Sequence, residues 1–154
     1  MNKSSDLAAE LAKVNLFAGW SERDRKKLSR LMTVSDMPAG REMTREGKDG
    51  IGFHLILDGA ADVVVGGKSR RELGPGDYFG EVSLIDGKPR TATVVAKSGL
   101  RTAGVTAWDF KPLLAENPAL AISLLEGLCD RIRRLESMVA ESSAADAGDA
   151  PPPA

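Results

Sequence analysis

The sequence predicts a mainly β domain, a sandwich or barrel flanked by helices. Three observations predict it. Short runs of strand-forming residues recur at even spacing through the middle of the chain, each closed by a glycine turn. Hydrophobic periodicity becomes helical at both ends. The chain has 154 residues, 42% hydrophobic and 28% charged, which suits one folded domain with a modest core.

The elements follow in order. Asp6 to Val14 is rich in Ala and Leu and reads as helix. Ser21 reads as the N-cap of a second helix. Glu22 and Asp24 sit in its first turn, where free N–H groups favour carboxylates, and Leu28, Leu31 and Met32 form its apolar stripe. Arg23, Arg25, Lys26, Lys27 and Arg30 fall between those positions, the pattern of a solvated face. Helices are therefore expected within residues 6–32 and strands within 33–106.

From about Thr33 the period becomes two: Phe53, Leu55 and Leu57 alternate with His54, Ile56 and Asp58. Asp58-Gly59 turns the chain, Ala61 to Val65 resumes as strand, and Gly66-Gly67 signals a tight hairpin into Lys68–Leu73. Gly74-Pro75-Gly76-Asp77 turns it again, and Thr91–Ala96 and Leu100–Thr106 are two further strands. Asp109 to Glu116 reads as a short helix, with Asp109 as cap so that Pro112 falls in its first turn. Asn117 and Pro118 read as N-cap and first residue of a long helix, whose Leu120, Leu124, Leu128, Ile132, Leu135 and Val139 recur at steps of three and four. The C-terminal helices are expected over 109–139, and the domain over 6–139. Residues 140–154, ending Pro151-Pro152-Pro153, read as a disordered Ala/Pro-rich tail.

Composition excludes several classes. Twenty-one basic residues against 22 acidic give a net charge of −1, which disfavours a nonspecific grip on nucleic acid. Cys129 is the only cysteine and His54 the only histidine, so neither a disulfide nor a metal site of the cupin type is expected. Cys129 reads as a small packing residue, His54 as packed or surface, and Trp20 and Trp108 as core or helix-edge anchors. No apolar run approaches a membrane span, and MNKSSDLAAELAKV lacks the apolar centre of a signal peptide, so a cytoplasmic protein is expected. No Ser-His-Asp set or phosphate-binding P-loop appears, so an enzyme is not expected.

One segment carries chemistry: Phe79 to Val94, FGEVSLIDGKPRTATV. Gly80 lets the backbone come close to a ligand, and Glu81 is an acceptor for a sugar hydroxyl. Val82 and Ser83 open a short helix with free N–H groups, and Arg90 carries a planar fork that meets two phosphate oxygens at once. Thr91 and Ala92 keep the wall beside Arg90 small, and Thr91 adds a hydroxyl. These are the parts for holding a sugar hydroxyl next to a phosphate, as in a cyclic nucleotide with its single charge and free 2′-OH. The alternative is a structural ion pair between Glu81 and Arg90 in a domain without ligand.

Phe79-Gly80-Glu81-Val82-Ser83-Leu84 and Pro89-Arg90-Thr91-Ala92-Thr93-Val94 resemble the phosphate-binding cassette of the cyclic nucleotide-binding domain family. That family includes regulatory domains of cyclic-nucleotide-dependent kinases and the catabolite activator protein. Phe53 to Gly59 resembles its strand and glycine turn, and the similarity spans roughly residues 14–136. The resemblance implies an eight-stranded jelly-roll barrel with a C-terminal helical lid. It matches Gly80 and Glu81 to the ribose pair, Ser83 to the backbone phosphate contact, Arg90 to the phosphate arginine and Thr91 to the residue beside it. Leu128, Arg131, Ile132 and Leu135 are the candidates for the lid contact with the base.

By this resemblance the ligand is cAMP, with cGMP the alternative because Thr91 also fits cGMP-selective sites. No metal is implied. The output would pass through the last helix to a partner protein or a second copy, whose seam the leucine stripe could form. Two other readings stay open: the ligand-binding half of a catabolite-activator-type transcription factor without its helix-turn-helix, and a ligand-free interaction domain. Only about 15 residues follow Val139, which disfavours direct DNA binding.

Overall fold

The computed structural model describes residues 3–50 and 52–148. Helix α1 (Lys3–Ala12), a 3₁₀ turn (Asn15–Phe17) and α2 (Glu22–Leu31) come first. The strands are β1 (Thr33–Met37), β2 (Glu42–Thr44), β3 (Gly52–Asp58), β4 (Ala61–Val65), β5 (Lys68–Leu73), β6 (Tyr78–Phe79), β7 (Thr93–Ala96) and β8 (Leu100–Thr106). Between β6 and β7 lies α3 (Glu81–Asp86), and α4 (Ala107–Glu116) and α5 (Pro118–Gly148) close the chain.

The strands pair antiparallel in two four-stranded sheets, β1-β8-β3-β6 and β2-β7-β4-β5. They do not close into the single barrel expected, and helices hold 46% of the described residues, so the mainly β expectation is not met. The Gly66-Gly67 hairpin forms as read, with Val65 opposite Lys68. The Asp58-Gly59 turn does not make a hairpin: it carries the chain from the first sheet into the second.

Two apolar cores result. One packs Phe53 and Leu55 of β3 and Ala103 and Val105 of β8 against Leu11, Phe17, Leu28, Phe110, Leu120 and Leu124 of the helical elements. Phe53 stacks on Phe110 with ring centroids 4.8 Å apart. The other joins Ile56, Phe79 and Leu100 of the first sheet to Ala61, Val63, Leu73 and Val94 of the second. Strand β3 is thus buried on both faces, which the alternating reading of residues 53–58 did not show.

Several local readings change. Ser21 caps α2 as expected, its Oγ accepting from the Asp24 N–H at 3.1 Å. The cap of α4 is Thr106, not Asp109: the Thr106 hydroxyl oxygen accepts from the Asp109 N–H at 3.4 Å. Pro112 consequently lies in the second turn, inside the helix. Asn117 does not turn its side chain to α5; its amide donates back to the Leu113 carbonyl at 3.0 Å and finishes α4. Helix α5 runs past Val139 to Gly148, because Ala140, Ala144, Ala145 and Ala147 favour helix more than any other residue type would. Residues 149–154, with the proline run of the expected tail, lie outside the described residues. Trp20 is buried edge-on against Phe17, whereas Trp108 and Cys129 are exposed and pack no core. No helix among the described residues is long and apolar enough to cross a membrane.

His54 packs between the sheets, stacked on Phe79 at 5.0 Å, and its Nδ1 is buried without a hydrogen-bond partner. Burial first, and the Arg90 charge second, push its pKa down to about 4. The unfolded chain takes up this proton near pH 6.5 and the folded one does not, so stability falls as pH drops from about 6.5 towards 4. Between pH 7 and 5.5 the loss should be about 1 kcal/mol. Urea unfolding at the two pH values should show it in the parent and not in His54→Leu; equal losses in both would remove His54 as the cause.

Candidate functional site

The site is built where β6 runs into α3. Gly80 is the residue before the helix, with φ +92°, and its missing Cβ leaves room for the Gly52 carbonyl and for Arg90 Nη1. Helix α3 then begins at Glu81. Its first intrahelical bond is from the Leu84 N–H to the Gly80 carbonyl at 3.1 Å, which leaves the N–H groups of Glu81, Val82 and Ser83 ahead of the ladder.

Arg90 arrives from the loop after α3, and its backbone is pinned on both sides. Its N–H donates to Lys48 O at 2.8 Å, and its carbonyl accepts from the Gly47 N–H at 2.9 Å. The guanidinium donates from Nη2 to Gly52 O at 3.0 Å and from Nη1 to Gly80 O at 3.3 Å. Its Nε is buried and has no partner. Burial pulls the Arg90 pKa below the ordinary guanidinium value, and Glu81 opposes that shift. That Nε packs against Gly50, and the buried cation as a whole is a place where an anionic acceptor gains.

All seven sequence-derived site residues, Gly80, Glu81, Val82, Ser83, Arg90, Thr91 and Ala92, line one cavity of about 30 Å³. Thr44, Val63, Phe79 and Val94 complete its wall, and Arg71 and Arg131 also reach it. Glu81 is 5% exposed. It forms no ion pair with Arg90 within 4.0 Å; its partner is Arg131 of α5, whose Nη1 donates to Glu81 Oε1 at 3.4 Å.

Arg131 was one of four lid candidates. Leu135 also faces the site side of α5, lining a groove of about 470 Å³ between α5 and the β4–β5 hairpin. Leu128 and Ile132 line neither that groove nor the cavity. Helix α5 sits close because Gly127 has no side chain: a Cβ there would run into the Tyr78 hydroxyl.

Arg71 of β5 is the residue that sequence reasoning missed. The register shifts between Val63 and Val64, so that Arg71 faces Val63 while Ser69 faces Val64 and Arg70 is the extra residue of a bulge. Arg71 thereby shares a face with buried Leu73, two residues on. It is half-buried, reaches both the cavity and the groove, and makes no hydrogen bond or ion pair among the described residues. Burial, then Arg131 and Arg134, lower its pKa from the usual value; Glu81 and Asp77 act against this. The available signal was positional: an arginine two residues before an inward leucine.

Known proteins resemble this chain in sequence and in fold. A family model described as "Cyclic nucleotide-binding domain" matches residues 35–117. The cAMP-dependent protein kinase regulatory subunit of Aspergillus niger is 35% identical over 108 residues, 69% of this chain and 26% of its own length. The chain thus spans about a quarter of the curated relatives it matches. Among solved structures, cAMP-bound PfPKA-R superposes with a TM-score of 0.78 and 26% identity, covering 92% of this chain and 48% of the other. The catabolite activator protein of Thermus thermophilus gives 0.73 and 26%, covering 83% and 62%.

Proposed function

Because this chain belongs to the cyclic nucleotide-binding domain family, we propose that it is a regulatory module, not a catalyst, and that residues 79–94 hold a cyclic nucleotide. The observation that carries this is the burial of Glu81 and Arg90 in one cavity at the start of α3. Arg90 meets the ring phosphate, helped by the N–H groups of Val82 and Ser83. Glu81 accepts from the ribose 2′-OH. Gly80 permits the close approach, and Thr91 and Ala92 form the small wall. The cAMP expected from the sequence is supported by the relatives whose names carry it.

The same geometry supports a switch. Glu81, the proposed acceptor for the 2′-OH, is held at Oε1 by Arg131, which also lines the cavity. In this reading a nucleotide shares Glu81 with α5, and its binding alters the Arg131 contact. A ligand shifts such an equilibrium only by its differential affinity for the two positions of α5. The exposed Ile132, Leu135 and Val139 of α5 make that helix the surface through which a partner protein or second copy would sense the change.

Titration with cAMP and cGMP side by side, with thermal shift, tests the reading, since a ligand of the native form raises the melting point. Glu81→Gln should weaken a nucleotide with a free 2′-OH by about 1.5–3 kcal/mol and its 2′-deoxy analogue much less. Equal losses would remove Glu81 from the ribose.

A further inference from the structure

We infer that His54 senses the anion held at Arg90: the cassette takes up a proton together with its ligand, so cyclic nucleotide binds more tightly in acid. The inference rests on the cassette reading above, which places the phosphate at Arg90.

The geometry starts from strand pairing. His54 of β3 stands opposite Phe79 of β6 on one side and Gly104 of β8 on the other. Its ring stacks on Phe79 at 5.0 Å. Two glycines leave the ring its room: a Cβ at Gly52 would lie 3.0 Å from Nε2, and one at Gly104 would lie 3.0 Å from Nδ1. Gly52 and the residue after Phe79 are also the ones whose carbonyls hold the Arg90 guanidinium, Gly52 O at Nη2 and Gly80 O at Nη1. Gly52 therefore lies against both the imidazole and the guanidinium.

The charges around His54 are few. It lines a surface groove of about 320 Å³ together with Ser35 of β1, Thr102 of β8 and Asp109 of α4, which gives protons a path from solvent. Asp109 is the one carboxylate in that lining, and no cation shares it. Arg90 is the charge that acts on the ring, adding to burial in holding the imidazole neutral.

A proton arriving on His54 thus meets an uncancelled positive charge while Arg90 has no anion. A phosphodiester on the guanidinium cancels that field, and it stays ionised throughout the range in which histidine titrates. The imidazolium then has only burial against it. By reciprocity, whatever the ligand does for the proton the proton does for the ligand. The ligand raises the His54 pKa from about 4. The added affinity is therefore complete below that value, fades as pH rises through the higher value of the complex, and is absent at neutral pH.

His54 is the only histidine, so its ring Cε1 proton is a probe that needs no assignment. The experiment titrates the whole chain by proton NMR, with and without saturating cAMP, while calorimetry follows binding. The His54 midpoint should rise by roughly 0.5–1.5 pH units with cAMP. Between about pH 7 and about pH 4.5, cAMP affinity should gain roughly 2- to 8-fold in the parent relative to His54→Phe, which keeps the stack on Phe79. At about pH 5.5, closer to neutrality, calorimetry in buffers of different ionisation enthalpy should show proton uptake on binding in the parent and a smaller uptake, or none, in His54→Phe. In Arg90→Ala the ligand-free midpoint should already lie above that of the parent, and cAMP should move it no further. One midpoint with and without cAMP, while calorimetry shows binding, would overturn the inference and leave the cassette reading standing. So would an Arg90→Ala midpoint equal to that of the parent. No cAMP binding in the parent would overturn the cassette reading and this inference together.

Discussion

Arg90→Ala should lose about 2–5 kcal/mol of cyclic nucleotide affinity, or roughly 30- to several thousand-fold. The size follows from burial. Arg90 is 8% exposed, and its guanidinium is fixed beside the start of α3 by its bond to Gly80 O. Alanine would leave a diester anion without the guanidinium fixed beside the free N–H groups of α3. Arg90→Lys should recover only part of the loss, because an ammonium cannot span two phosphate oxygens. Fold integrity needs a separate check, since Arg90 also ties Gly52 O and Gly80 O together. Near-ultraviolet circular dichroism of the variant, taken with the titration, provides it. A folded Arg90→Ala protein that binds as tightly as the parent would remove the phosphate from this residue.

Gly80→Ala should cost the fold about 2–5 kcal/mol. Two penalties add there. The backbone sits at φ +92°, where an L-residue costs about 1–2 kcal/mol, and the new Cβ would run into the Gly52 carbonyl, a backbone atom that cannot rotate away. Gly87 at the other end of α3 is the control. It also has positive φ, +69°, but nothing lies within 4 Å of a Cβ built there. Gly87→Ala should therefore show the conformational penalty alone. Urea unfolding of the two variants measures the difference. Equal costs would mean that Gly80 is not packed against Gly52 as described, and with it the placement of Arg90 Nη1 would fall.

Much of this was legible in the residues. Residues 61–65, 68–73 and 100–106 are strands at the bounds that were read, because the glycine turns between them are local signals. Ser21 caps α2 because a hydroxyl at that position satisfies a free N–H whatever surrounds it. The seven cassette residues lie in one 13-residue stretch, Gly80 to Ala92, around a helix one and a half turns long, so their convergence is nearly a local matter.

Other features were not legible, and each depends on a long-range partner. Thr106 and Asn117 compete with their neighbours for the same backbone groups, and only the packed position of α4 decides which cap forms. The two sheets exchange strands at Gly59, which a turn signal cannot distinguish from a hairpin. The partner of Glu81 is 50 residues away on α5, where nothing local marks Arg131 above the arginines beside it.

By itself, then, the chain's order of residues determined the elements and the cassette, since those depend on local periodicity, caps and a short spacing. Tertiary structure alone decided that Arg131 holds Glu81 and that a bulge turns Arg71 inward to the groove. The physical reason is that burial and charge pairing are properties of neighbours in space, and the neighbours of these side chains are set by strand register and by the seat of α5 on Tyr78.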